Sequence, residues 1–540
     1  MLWACLLLPS LPLDVFARAL SPADAMRPFA VTTGGHYPRI VAANAAARDA
    51  GIAAEQLVSA ALALAPDIVL RDRERHREMA ALDGIAMWAT QFTPMVSVAP
   101  PDAVLAEIGG SLRLFDGLSR LTARLAAGAQ DLGYAARLTL APTPSAALLF
   151  ARADSDALAR ARLDFSSAAG DSCVPHEKFE PGPSLDDAIA PLPLTHLDVA
   201  PDIIALLAAA GVTTFGQACA LPRAALARRV GADFVATLDR ARGLAADPRP
   251  PFVPPPRYER KLDLPAPVAN VDALAFATNR LTHELAGWLA GRGLGIVEMS
   301  LSLAHERYVG MKVPPERRFA PLPPRGQSAL GRPGGAQTGV PATLVHIRLA
   351  APTREPTHLI TVWRERLARV ALPAPVEAIV LAGEATAPLG GRNLGLLPGD
   401  EAAPTVPLID RLRARLGEDA VTLVAPRAEH RPERASESSE GRVGLAPGRL
   451  AKANVEADSV LLPRPVWLLA EPEPLGHALE AQPWVLRDGP ERIESGWWDG
   501  ADVRRDYFVA ENPRGETVWI YRDHRYGIDD GEWFLQGVFA

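Results

Sequence analysis

The sequence predicts an α+β protein of several domains, and three observations carry that expectation. Apolar strand-like runs alternate with helical stretches across the first quarter of the chain. Residues 258–382 read strand, helix, strand, strand, helix, strand. Residues 464–540 collect six of the ten tryptophans in short strand-and-turn segments. A chain of 540 residues has room for several domains. Its 48% hydrophobic and 22% charged content excludes a wholly disordered chain. The 51 prolines cluster where linkers are expected.

Residues 2–8, LWACLLL, form the continuous apolar run of a strand buried on both faces. A secretory leader is disfavoured, because the first basic residue is Arg18 and Pro9 and Pro12 interrupt the run. No apolar run reaches the roughly 18 residues that a membrane span needs. Cys5, Cys173 and Cys219 are far apart and lack metal-ligand spacing, which suits a reducing cytoplasm. Residues 39–51, RIVAANAAARDAG, read as a strand passing into an Ala-rich helix ended by Gly51. A long helix follows at 73–92, two strands at 95–108, a helix at 118–132, a strand at 135–141 and a helix from Ser145. This order suits an antiparallel-rich sheet with helices on one face.

Residues 247–256, DPRPPFVPPP, read as a proline-rich linker. Strands are expected at 258–265, 295–304, 343–350 and 376–382, with helices at 271–291 and 356–370, a split β-α-β arrangement. Its middle hairpin is lengthened by a Pro-, Gly- and Arg-rich loop at 307–341. Formal net charge is -7, but residues 251–370 hold 16 Lys and Arg against 9 Asp and Glu, a net +7 in a remainder of -14. A basic module in an acidic chain suits local contact with a nucleic-acid backbone. Periodicity is lost over 383–463, and residues 429–441, EHRPERASESSEG, read as disordered. Residues 464–540 read as a small β-rich module whose tryptophans supply its core and, where exposed, anchors for partner proteins.

Two stretches carry a resemblance: Leu8-Pro9-Ser10 with Leu11-Pro12-Leu13 after them, and residues 100–107, PPDAVLAE. In frame they resemble the two palm motifs of the Y-family (DinB/UmuC-like) translesion DNA polymerases. The first of these reads Asp-Met-Asp and then, after one residue, Phe-Phe or Phe-Tyr. The second reads Ser-Leu-Asp-Glu-Ala-Tyr-Leu-Asp. Over its whole length the chain resembles the catalytically inactive member of that family from a bacterial mutasome. The resemblance implies a ferredoxin-like palm with small fingers at 1–165, a helical thumb at 166–246 and a linker at 247–257. It implies a β-α-β-β-α-β little finger at 258–390, a clamp motif and flexible linker at 391–463, and a partner-binding module at 464–540. The thumb turn Asp198-Val199-Ala200-Pro201 lacks the glycines with which the family's hairpin grips a phosphate.

Of the three metal ligands the family uses, the resemblance leaves Asp102, while Leu8 and Ala103 occupy the other two positions and Ser10 offers at most a neutral oxygen. Leu13 falls at the steric-gate position, and Glu107 lies five residues beyond Asp102, so alternation turns the two apart. Asn44-Ala45-Ala46-Ala47-Arg48 keeps the family's triphosphate-contacting Arg, as a vestigial Arg48, and lacks its Tyr. A two-metal centre needs dense negative charge, so no catalytic residue and no cofactor is expected. The implied role is an adaptor, induced by DNA damage in an SOS-type response. It would bind primer-template DNA through Arg307, Lys312, Arg317, Arg318, Arg325 and Arg348, and the sliding clamp through Asn393, Leu394, Gly395, Leu396 and Leu397. An error-prone C-family polymerase and the RecA-like partner ImuA would meet the terminal module, with Trp497, Trp498, Trp519 and Trp533 as anchors. The alternative is a weakly active polymerase using Asp102, substitute ligands and Mg²⁺. The chain has no P-loop motif and no paired histidines at metal-ligand spacing.

Overall fold

The computed structural model describes residues 1–20, 26–153, 184–306, 342–389, 405–418, 420–439, 464–476, 483–524 and 531–539. They divide into two compact units, residues 1–415 and 416–540.

The first unit is built on a four-stranded antiparallel sheet in the order β5-β6-β1-β7. Its strands are β1 (Trp3–Leu7), β5 (Val96–Ala99), β6 (Ala103–Glu107) and β7 (Arg137–Ala141). Every residue of β1 is buried, because both of its faces are covered. Leu2, Ala4, Leu6 and Leu8 pack towards α1 (Leu11–Ala17), α4 (Arg75–Ala89) and α5 (Leu118–Asp131). Trp3, Cys5 and Leu7 face α6 (Pro144–Arg152) and the helical thumb. The expectation of helices on one face is thereby corrected. An uninterrupted apolar strand needs cover on both sides.

A three-stranded fingers sheet lies between α1 and α4 in the chain. It contains β2 (Phe29–Thr32), β3 (Ile40–Ala43) and β4 (Val69–Asp72) in the order β3-β2-β4, with the short helices α2 (Ala45–Asp49) and α3 (Val58–Leu64). Asn44 caps α2, accepting from Ala47 N–H, and its Oδ1 also accepts from Phe29 N–H at 3.0 Å. The thumb comprises α7 (Leu185–Ile189), α8 (Pro201–Ala209), α9 (Phe215–Ala220), α10 (Arg223–Val230) and α11 (Ala232–Arg242).

The proline-rich segment is a fixed strap. Asp247 accepts from Ser145 N–H and Oγ, Phe252 N–H donates to Val96 O at 2.7 Å, and Trp288 Nε1 donates to Pro255 O at 3.1 Å.

The strap leads into β8 (Glu259–Val268), α12 (Val271–Gly291), β9 (Leu294–His305), β10 (Ala342–Thr353), α13 (Pro356–Leu367) and β11 (Val376–Pro388). Strand order is β10-β9-β11-β8, so β11 separates the two strands joined by α12. Glycines let α12 approach the palm closely: a Cβ on Gly287 would lie 2.5 Å from Trp88 Cδ1, and one on Gly84 would lie 2.8 Å from Glu284 Oε1. Glu284, 1% exposed, is held at this junction by Arg260 at 2.6 Å and Arg18 at 3.7 Å.

The expected flexible linker is corrected in two places. Residues 405–416 form a helix, α14 (Thr405–Leu416), docked on the little-finger sheet domain. Its buried Asp410 accepts from Ala350 N–H at 2.7 Å and meets His358 Nε2 at 2.9 Å. Within the second unit, β12 (Leu423–Pro426) pairs with β13 (Ser436–Ser439), so 429–439 are structured where disorder was expected. Arg431 and Pro432 are buried there.

The rest of the second unit is an antiparallel sheet in the order β14-β18-β17-β16-β15. Its strands are β14 (Trp467–Pro474), β15 (Val485–Ser495), β16 (Val503–Glu511), β17 (Thr517–Asp523) and β18 (Trp533–Val538). Tyr507, Trp519 and Tyr521 form the core on one face, with Tyr507 stacked on Trp519 at 4.1 Å. Ala510, Val518 and Ile520 form the core on the other. No helix among the described residues is long and apolar enough to cross a membrane.

Candidate functional site

The two motif stretches do meet. Leu7 pairs with Ala103 across β1 and β6, and Leu8 N–H donates to Asp102 O at 2.8 Å. The side chains that would carry the chemistry are apolar and turned inward. Leu8 is fully buried among Leu6, Leu11 and Phe16, and Ala103 is fully buried beside Cys5 and Leu105 on the other face. Leu13 is buried in the Leu8 cluster. Ser10 precedes α1, and its carbonyl, not its hydroxyl, receives Leu13 and Asp14 N–H.

Asp102 is the carboxylate that remains at the strand ends. It faces a guanidinium: Arg152 Nη2 lies 3.3 Å from Asp102 Oδ1, and Arg152 Nη1 donates to His196 O at 3.3 Å. Glu107, at the far end of β6, accepts from Leu2 N–H at 3.0 Å and Gly109 N–H at 3.1 Å, which commits it to the sheet end. Among the described residues no three His, Cys, Asp or Glu side chains are grouped to hold a metal ion. A pair of hard cations needs several shared oxygens. One carboxylate already paired with an arginine does not fit that requirement, and no step through such a centre follows from these residues.

Burial governs the other ionisable groups nearby. The Cys5 thiol is enclosed and its pKa is pushed up to about 12, which makes it an inert core residue. Asp14, on α1, is raised to about 6 by desolvation, against the opposing effects of Ala135 N–H and Arg18.

The vestigial Arg48 is exposed and donates to Ala43 O at 2.9 Å, a bond within its own strand-helix corner. Arg348 pairs with Glu298 at 3.1 Å. Arg307, Lys312, Arg317, Arg318 and Arg325 lie outside the described residues, as do Asn393, Leu394, Gly395, Leu396 and Leu397. Of the four tryptophans, Trp519 is fully buried and Trp533 partly buried, whereas Trp497 and Trp498 are 79% and 58% exposed.

Sequence reasoning missed Arg152 as the partner of Asp102. It also missed the Ser145–Asp247–Arg249 cluster beside α6, in which Arg249 Nη2 donates to Ser145 Oγ at 2.8 Å. A basic residue in the last turn of α6 was the signal for Arg152; nothing local marked the other three. A separate cleft of about 730 Å³ between the palm and α12 is lined by Trp88, Phe92, Phe115, Arg124, His283 and Arg354, and by none of the motif residues.

Comparison with known proteins places this frame. Residues 15–152 match the impB/mucB/samB family. The matched residues take in the fingers and most of the palm. Over 91% of its length the chain is similar to "Protein ImuB" of Caulobacter vibrioides, strain NA1000 / CB15N, with 29% identity over 527 residues and 100% of that relative covered. The same figures hold for the ImuB of strain ATCC 19089 / CIP 103742 / CB 15. Among solved structures, DinB from Sulfolobus solfataricus is 12% identical, aligning 71% of this chain with 98% of that one at a TM-score of 0.34. A Y-family DNA polymerase chimera of Dbh and Dpo4 is 13% identical at the same coverages, with a TM-score of 0.36. The fold assignment rests on the strand order and on the impB/mucB/samB match, not on these superpositions.

Proposed function

We propose that this chain is a non-catalytic adaptor of DNA-damage-induced translesion synthesis, a polymerase frame kept for assembly. In this reading it bridges primer-template DNA, the sliding clamp, an error-prone C-family polymerase and the RecA-like protein ImuA. The observation that carries the reading is the juxtaposition at the ends of β1 and β6. The backbone register is kept, Leu8 and Ala103 are core residues, and Asp102 is neutralised by Arg152. The similarity to ImuB over 91% of the chain supports a role in a mutagenesis complex.

DNA contact is assigned to the basic little-finger module. Of its net +7, residues 307–341 supply six Lys and Arg against one Glu. Clamp contact is assigned to Asn393–Leu397, whose flanks β11 and α14 both belong to the little-finger domain. The test is primer extension with Mg²⁺ or Mn²⁺ run beside a DNA-binding titration on the same primer-template. The expected result is salt-dependent binding without extension. Extension that is lost in Asp102→Ala would replace the adaptor with a weakly active polymerase. Absence of DNA binding would leave a hub for proteins alone.

A further inference from the structure

Trp497 and Trp498 stand on the turn between β15 and β16, their rings in edge contact with centroids 5.6 Å apart. Tryptophans contribute most to a small module when buried. Trp519 does this at the centre of the sheet, and the exposed pair does not.

The turn beneath the pair is nevertheless built with care. The Arg431 side chain is 2% exposed. Its Nη2 donates to Glu429 Oε2 and Asp499 Oδ2, each at 2.7 Å, and its Nη1 donates to Asp499 Oδ1 at 3.0 Å and Ala501 O at 3.2 Å. Ser495 Oγ donates to Glu429 Oε1 at 3.1 Å, and Arg434 Nη1 to Asp499 Oδ2 at 2.9 Å. Gly496 has φ +85, and a Cβ there would lie 2.6 Å from Arg431 Nη1, so the guanidinium runs directly under the turn. It also lies 5.8 Å from the Trp498 ring centroid. Burying a guanidinium with two carboxylates is costly in desolvation and contributes little net stability. What it does confer is a fixed geometry. Two exposed aromatic rings on a rigid turn have the form of a binding anchor whose ordering cost has been met in advance.

The charge of the whole unit that carries the anchor favours one class of partner, since the arginines and carboxylates at the turn itself balance. Residues 416–540 hold 14 Lys and Arg against 23 Asp and Glu, a net -9, which repels phosphate backbones and attracts basic surfaces. We propose that the Trp497–Trp498 turn is a preformed anchor for a protein partner that offers an apolar pocket within a basic surface. Arg431 is its positioning residue. This rests on the adaptor reading, and it names which residues of the module meet a partner and what that partner's surface is like.

The experiment uses the full-length chain carrying 5-fluorotryptophan, titrated by calorimetry and ¹⁹F NMR with the purified C-family polymerase and, separately, the RecA-like protein. The lines for the two residues are assigned by their loss in Trp497→Ala and Trp498→Ala. With one partner these lines shift, the affinity falls as salt rises, and the double alanine variant loses about 30-fold or more in affinity at unchanged melting temperature. Arg431→Met narrows both lines through greater ring mobility and lowers affinity. Arg431→Lys restores little, because a single ammonium does not span both carboxylates. If the double variant binds both partners as the wild type does, the anchor is overturned and the adaptor reading stands. If the wild type binds neither, both fall. If the double variant instead loses binding to a single-stranded oligonucleotide, the turn is a base-stacking platform and the protein-anchor proposal is overturned.

Discussion

In the palm, leucine and alanine wall β1 on both faces and the surviving carboxylate, Asp102, is met by Arg152. In the terminal module, Arg431 gathers Glu429 and Asp499 beneath a turn that exposes two tryptophans. Both regions are sheets with apolar residues on both faces, but they place charge differently. The palm keeps its strand register and, among the described residues, has no cluster of acids at the ends of β1 and β6. The module keeps clustered charge and uses it to hold a shape. The strand register persists where the acids do not, because register depends on apolar packing and not on carboxylates.

The most forceful way to break this comparison is at Glu284, where the first unit also holds organised buried charge. Glu284→Ala leaves Arg18 and Arg260 without their shared acid and is expected to cost about 3–5 kcal/mol, read by denaturant unfolding of the full chain. A cost below about 1 kcal/mol would mean that glycine-mediated contact alone joins palm and little finger.

Asp14 gives the next effect. Its folded pKa of about 6 lies above the ordinary carboxylate value, so the native state binds the extra proton. The associated stability is complete below about pH 4 and is lost as pH rises through 6. Asp14→Asn should therefore raise stability at pH 7–8 by up to about 3 kcal/mol and flatten the profile between pH 4 and 6. A flat wild-type profile would refute the burial assigned to this carboxyl.

The module should show the reverse sign. Arg431 holds the carboxyls of Glu429 and Asp499 down at about 2. Their contribution is present above about pH 4 and is lost as pH falls through 2. Tryptophan fluorescence of the chain should show an acid transition that Asp499→Asn removes in part. An unchanged transition would detach Arg431 from the turn.

The smallest effect is expected at Asp102, whose pair with Arg152 is partly solvated. Asp102→Ala should change stability by about 1 kcal/mol or less, by thermal melting, and should leave primer extension at the wild-type level.

Much of the first unit was legible in the sequence. The helix expected at 271–291 is α12, with Asn270 as its N-cap, because a 21-residue amphipathic period leaves little ambiguity. The buried strand at 2–8 and the meeting of residues 8 and 102 were legible from apolar continuity and motif frame. The structured segment at 429–439 was not. Its composition is that of a disordered run, and Arg431 is buried by Asp499, 68 residues further along the chain. The four tryptophans proposed as anchors could not be sorted either. Trp497 and Trp498 lie between Gly496 and Gly500 and Trp519 lies in the strand-like run 517–523, but whether a strand tryptophan is enclosed depends on the pairing of β16 and β17.

By itself, then, the sequence determined what each segment could become: which runs must be strands or helices, which carboxylates are absent, and where positive charge accumulates. These follow from side-chain chemistry and period, which are local. The tertiary structure decided what each surviving polar group faces. Asp102 meets Arg152, Glu284 lies between two arginines of different domains, and Arg431 sits under a tryptophan turn. Those pairings join residues distant in the chain, and burial and electrostatics depend on distance in space, so packing alone could set them.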